Sequence, residues 1–251
     1  MPGSECIGQQ CSRTAGKSTS VTRKMKKNNP MKRRRFLAGA GLAAAGATVV
    51  AKAQAETGNG SSFTPQRHAE DSWMDELGIS HRAFVDSSTG QGGIAAVNFA
   101  SNILRAHAMG YGGSDDDYGM IVCFRHASAP FGFNDAMWEK YSEVFVGRTQ
   151  IHDSNGVPVT HNPLSVERTY GNRNNTLANL VDRGIHFAIC NLSTLSMAGV
   201  VARAAGRQSD EVYQELLANA VPNSHFVAAG VLGATRAQEY GYAFMYASDE
   251  D

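Results

Sequence analysis

The sequence predicts an α/β domain, a mainly parallel sheet with helices on both faces. Five short apolar runs rich in Val, Ile, Phe and Tyr recur between residues 81 and 247. Nearly every pair of runs is separated by a stretch with helical periodicity, the pattern of parallel crossover units. Glycines stand where helices should stop, at Gly184, Gly206 and Gly241. No internal repeat interrupts the alternation.

The elements follow in order. Asp71 or Ser72 can cap a short helix over Ser72–Leu77, and its Trp73 is expected to dock on the body or on a neighbouring subunit. His81–Asp86 reads as the first strand, with a Gly/Ser turn over 87–93. Ile94–Met109 carries apolar residues at Ile94, Val97, Ala100 or Ser101, Leu104 and Ala108, a helical period. Tyr118–Phe124 is a near-continuous apolar run, as a buried parallel strand requires. Asn134–Phe145 is helical, with Met137, Trp138, Tyr141 and Val144 or Phe145 on one side. Residues 149–175 form a long polar insertion with Pro158 and Pro163, of a length that is usually functional or mobile. A short helix over Thr176–Arg183 precedes the third strand, Ile185–Cys190. Ser193–Ala205 and Ser209–Val221 read as helices, the second capped by Ser209 and stopped by Pro222. His225–Ala229 is the fourth strand, Ala234–Tyr240 the last helix and Tyr242–Ala247 the last strand. The alternation does not give the strand order.

Charge divides the 251 residues into two objects. The total is zero, from 23 basic and 23 acidic residues. Up to Ala55 there are 11 Lys and Arg against Glu5 alone. From Glu56 onward there are 12 against 22, so the body is acidic and all eight histidines belong to it. An acidic body argues against a nucleic-acid partner. Four cysteines are too few for a disulfide framework.

Residues 1–55 read as an address. Arg33-Arg34-Arg35-Phe36-Leu37 precedes a small apolar run from Ala38 to Ala51, and Ala51-Lys52-Ala53 and Ala53-Gln54-Ala55 offer cleavage sites. Arg33–Leu37 resembles the twin-arginine (Tat) export motif, which implies a periplasmic or otherwise exported protein and no membrane contact after signal removal. An N-terminal anchor is the alternative, although the apolar run is short for a span. Met31 is a candidate true start, which would make Cys6 and Cys11 irrelevant. Residues 56–80 then form a Gly-, Ser- and Thr-rich linker and the short helix, and 81–248 the folded body with its 149–175 insertion.

In open parallel sheets, ligands sit at the carboxyl ends of the strands. Those ends hold Asp86, Ser87 and Ser88, then Arg125 and His126, then Cys190 and Asn191, then Gly230. Cys190 stands out, because it closes a strand just before a helix whose amides and dipole favour a thiolate. The other reading is a buried core cysteine, as Cys123 inside its apolar strand is expected to be. A Cys123–Cys190 disulfide is conceivable in an exported protein. His126 and Arg125 can stabilise an anion; Asp86, Ser87, Ser88 and Asn191 can contact a ligand. His152 and His161 lack tight metal-ligand spacing, and His186 and His225 are expected to be packed. The Ser88–Gly93 run could cradle a phosphate but matches no phosphate-loop pattern. Asp115–Asp117 reads as a solvated turn.

The run Gly184–Val200, GIHFAICNLSTLSMAGV, resembles the DsrE/DsrF-like sulfur-relay family, in which such a strand ends in a cysteine and runs into a helix. Val221-Pro222-Asn223, Ala228–Val231 and Arg236–Tyr242 resemble the ending of exported members. The resemblance spans His81–Ala247 and implies a three-layer α/β/α sandwich around a five-stranded sheet. It also implies association into trimers or hexamers, and a transient persulfide on Cys190 with no resident cofactor. Donor and acceptor proteins for the sulfur would be the partners. The competing expectation is a non-enzymatic oligomer that holds a small ligand, haem or metal at the strand ends.

Overall fold

The five apolar runs form β1 (His81–Ser87), β2 (Tyr118–Phe124), β3 (His186–Cys190), β4 (Ser224–Val227) and β5 (Ala243–Ala247). All neighbours pair in parallel, in the order β4-β3-β2-β1-β5. The computed structural model describes residues 63–77 and 80–248, so the signal region and most of the linker lie outside the described residues. The helices are α1 (Trp73–Glu76), α2 (Gly90–Tyr111), α3 (Asp135–Thr149), α4 (Leu177–Asp182), α5 (Asn191–Ala205), α6 (Ser209–Ala218) and α7 (Gly230–Glu239).

Strand order explains the layers. From β1 to β4 the chain steps across the sheet in one direction, so right-handed crossovers stack their helices on one face. To reach β5 beside β1 it must step back, which puts α7 on the other face. The cores obey this. Ala83, Val85, Met120, Val122, Phe124, Phe187 and Ile189 join residues of α2 to α6 in the larger cluster. The alternating residues Phe84, Ile121, Cys123, Ala188 and Val227 pack instead with Met74 of α1 and Ala234 and Ala237 of α7. The fold is therefore a three-layer α/β/α sandwich with an all-parallel sheet, and one face has a much thinner cover.

Several helices begin earlier than the sequence predicts. The Gly-rich stretch after β1 is the first turn of α2, capped by Thr89, whose Oγ1 accepts from the Gly92 amide at 2.9 Å. Glycine is needed there for contact: a Cβ on Gly90 would lie 2.0 Å from the Thr149 carbonyl oxygen, and one on Gly93 2.5 Å from the Phe131 ring. α5 starts at Asn191 instead of Ser193, and α7 at Gly230 instead of Ala234. α6 ends at Ala218, short of Val221, because Asn219 and Val221 turn to bond Asn134 and Gly132.

The 149–175 insertion is tied to the body. Ile151, Val159 and Leu164 are buried, and fully buried Asn162 donates to the Phe131 and Phe133 carbonyls at 2.9 and 2.8 Å. His152 and His161 go to separate partners, the Gln150 carbonyl and the Tyr170 hydroxyl. The three aspartates form a capped 3-10 turn, with Asp115 bound to Arg183.

Candidate functional site

The crossovers decide where a crevice can open. A crevice forms where adjacent strands send their following helices to opposite faces. Here β3 leads to α5 in the larger layer and β4 leads to α7 in the smaller one. The switch point lies between β3 and β4, and Cys190 is the last residue of β3, paired with Val227.

Cys190 is also the N-cap of α5. Its backbone is extended (φ −69°, ψ 111°), and its Sγ accepts from the Ser193 amide at 3.4 Å. That amide is one of the donors a helix leaves unpaired at its start. A thiol therefore holds the position usually given to Ser, Thr, Asp or Asn. The sulfur thus sits at the start of a 15-residue helix with one donated N–H. Cys190 keeps 5% exposure, whereas Cys123 has none. The two cysteines are free thiols. They lie on adjacent strands but diagonally, because Cys123 pairs with Ala188.

Arg125 follows the last residue of β2 and Asp86 lies at the end of β1. Asp86 is 2% exposed and takes Arg125 in a fork: Nε reaches Oδ1 at 2.9 Å and Nη2 reaches Oδ2 at 2.8 Å. Hydrogen bonding to Asp86 raises the affinity of Arg125 for its proton. The cation is thus committed to a carboxylate and is not free to meet a thiolate. Burial pushes the Cys123 thiol well above its usual range, and Asp86 beside it pushes the same way. Cys123 is a neutral core residue. Gly230, at the start of α7, leaves room for this pair, since a Cβ there would lie 2.6 Å from the Arg125 Cβ.

The remaining candidates divide. Ser87 is fully buried, with its Oγ 2.7 Å from the Cys123 carbonyl and 2.9 Å from Ser128 Oγ; it knits β1 to β2 and faces no open space. Ser88 reaches the Tyr246 hydroxyl at 2.5 Å. Asn191 turns away and accepts from the Tyr213 hydroxyl of α6 at 2.7 Å. His126 is exposed and sits in the left-handed region at φ 53°, uncommon for a residue with a side chain. Its amide donates to Ser193 Oγ at 2.8 Å, and its Nδ1 lies 3.3 Å from the Ser88 carbonyl.

The structure thus joins the His126 backbone to Cys190 through Ser193, and pairs Asp86 with Arg125. Ser193 and Ser128 were missed by the sequence reading. A signal existed for Ser193, because Cys-x-x-Ser at a strand–helix junction is the N-cap to N3 spacing. None existed for Tyr246, which reaches Ser88 only because β5 returns beside β1.

Several large apolar side chains are exposed on α5, α7 and the edge strand β5. Leu192 and Leu195 on the first turns of α5, Val231 and Leu232 on α7, and Phe244, Met245 and Tyr246 on β5 are all exposed. No group of three or more His, Cys, Asp or Glu among the described residues could hold a metal ion. Compared with known proteins, the chain matches no protein-family model and no curated protein.

Proposed function

We propose that the chain is an exported DsrE/DsrF-like sulfur carrier that holds a persulfide on Cys190. The observation that carries this is the cap: the Cys190 sulfur accepts the Ser193 amide at the start of α5, at the switch point of the sheet. Capping alone does not account for cysteine, because sulfur is a weak acceptor and a serine would cap better. The thiolate attacks the outer sulfur of a donor such as thiosulfate. A sulfur–sulfur bond forms on Cys190, the donor's own sulfur–sulfur bond breaks, and sulfite leaves with the electron pair. An acceptor thiolate then takes the terminal sulfur and returns Cys190 as a thiolate. The α5 amides hold the anion in both forms. His126, whose backbone amide bonds Ser193, is the residue proposed to add a proton or a positive charge. Arg125 is held by Asp86, beside Cys123, and takes no direct part in the proposed cycle.

Carriers depend on partners, and exposed Leu192 and Leu195 on the first turns of α5 support docking or self-association. A trimer or hexamer is the arrangement proposed, with sulfur donor and acceptor proteins as transient partners. Export through the twin-arginine pathway is part of the same proposal and rests on Arg33–Leu37. No helix among the described residues is long and apolar enough to cross a membrane.

The test is intact mass after exposure to thiosulfate or polysulfide, run on the protein and on Cys190→Ser, Cys190→Ala and Cys123→Ala. Gain of sulfur in the native and Cys123→Ala proteins, lost in both Cys190 variants, is the expected result. Cys190→Ser keeps the cap, so a loss there is not a folding artefact. No gain in the native protein sinks the carrier reading and leaves Cys190 as a helix cap.

A further inference from the structure

The insertion and α2 form a cleft with an unusual charge. Its volume is about 510 Å³, and it is lined by Ser101, Asn102 and Arg105 of α2 and by Arg168, Arg173 and Asn174 of the insertion, among others. Three arginines face one cleft on a body that carries an excess of acids. Most other cations of the body are matched: Arg67, Arg82, Arg125, Lys140, Arg183, Arg207 and Arg236 each meet a carboxylate. The side chains of Arg105 and Arg173 have no hydrogen bond or ion pair with any described residue. The neighbouring acid, Glu167, reaches Asn179 instead.

The cleft is built rather than incidental. Arg168 and Arg173 both adopt left-handed backbones, at φ 61° and 57°, which side-chain-bearing residues avoid. The Arg168 amide donates to the Arg173 carbonyl, which closes the loop on itself. Asn98 of α2 clamps it from below, donating to the Gly171 carbonyl at 3.0 Å and accepting from Asn175 at 2.7 Å. Asn174 Oδ1 takes the Arg168 Nε at 2.5 Å, which leaves the two terminal nitrogens of that guanidinium available. Ser101 Oγ accepts from Arg183 at 2.8 Å, so its own proton is available to donate. The donors outnumber the acceptors, and like charges are held close without a counter-ion from the fold.

We propose that this cleft binds a small, multiply charged oxyanion of the phosphate or sulfate class, free or carried as an ester. Guanidinium forks match such oxygens bidentately, and three of them match two or more charges. The proposal does not depend on the persulfide chemistry, since the cleft and the Cys190 site share no residue.

The experiment is calorimetric titration with inorganic phosphate, sulfate and glycerol phosphate, at ionic strength held constant with chloride. The proteins are the native chain, Arg105→Ala/Arg173→Ala, Arg168→Ala, and Arg203→Ala as a control outside the cleft. Saturable one-to-one binding is expected, weakened about tenfold or more by either cleft variant and unchanged in the control. Tighter binding of glycerol phosphate than of phosphate identifies the ester as the source; the reverse identifies the free ion. Because the side chains of Arg105 and Arg173 are exposed and unbonded, the double variant should unfold at the native temperature without ligand. No saturable binding of any of the three probes overturns the proposal, as does binding that survives in the cleft variants.

Discussion

Acid should loosen the N-terminal helix before it unfolds the body. Trp73 of α1 lies flat on His225 of β4, with ring centroids 3.9 Å apart and planes 1° from parallel. His225 Nε2 is 2.9 Å from His186 Nδ1. One of these nitrogens must donate and the other accept, so the pair cannot hold a proton on both facing atoms. Burial, and then the charge of His186, pulls His225 down to about 4 from the ordinary 6.5; burial pulls His186 down as well. The folded state therefore binds fewer protons than the unfolded chain between these values. Stability from this site is present above the unfolded value and is lost as pH falls toward 4. Full linkage for His225 would remove about 2 kcal/mol between pH 7 and pH 5. The ring is only half-buried, and solvent screening reduces this to about 1 kcal/mol, or about 3 °C in the unfolding midpoint. The assay is denaturant unfolding at both pH values, followed by Trp fluorescence, for the native protein and His225→Phe. The native protein should lose about 1 kcal/mol more than the variant. Equal losses would refute the assignment of the proton to this pair.

Three further outcomes follow from named contacts. Asp86→Asn should cost about 2–3 kcal/mol, less than a fully buried pair because the Arg125 side chain keeps 22% exposure, and denaturant midpoints measure it. Gly90→Ala should cost about 2–3 kcal/mol, since the new methyl lies on the Thr149 carbonyl and α2 must move off α3; thermal unfolding reads the loss. At Glu215 burial favours the neutral acid, but Lys140, Tyr141 and Arg207 outweigh it and hold the carboxyl at about 2. Its contribution is thus present above the ordinary 4.5 and lost as pH falls toward 2. Glu215→Gln should flatten the stability profile across that window by about 1 kcal/mol after screening, seen in midpoints at pH 5 and pH 3.

The sheet was legible because strands buried on both faces must be apolar along their length. Tyr118–Phe124 and Ile185–Cys190 announce themselves this way. Helix starts were less legible where glycine stood, since glycine usually marks a turn. Gly90, Gly93 and Gly230 are helical, and their missing side chains answer to Thr149, Phe131 and Arg125, contacts that only the tertiary structure supplies. Strand ends pointed to Cys190 and His126 because the rule for open parallel sheets needs no strand order. The fate of Arg125 did need it. Its fork on Asp86 depends on β1 and β2 being neighbours in register, which no local pattern encodes. The 149–175 insertion looked polar and irregular, and it is irregular. What fixes it is Asn162, a residue whose buried role depends on carbonyls some 30 residues away.

The single return crossover ties these features together. Because α7 alone among the crossover helices crosses to the second face, that face has few helices to cover it, and β5 becomes an edge with Phe244, Met245 and Tyr246 exposed. The same step sends the connections after β3 and β4 to opposite faces. Cys190 therefore stands at a helix start where two neighbouring connections part. A serine at the cap would serve the fold as well. A cysteine there adds chemistry that packing does not ask for, and that surplus is what the carrier proposal rests on.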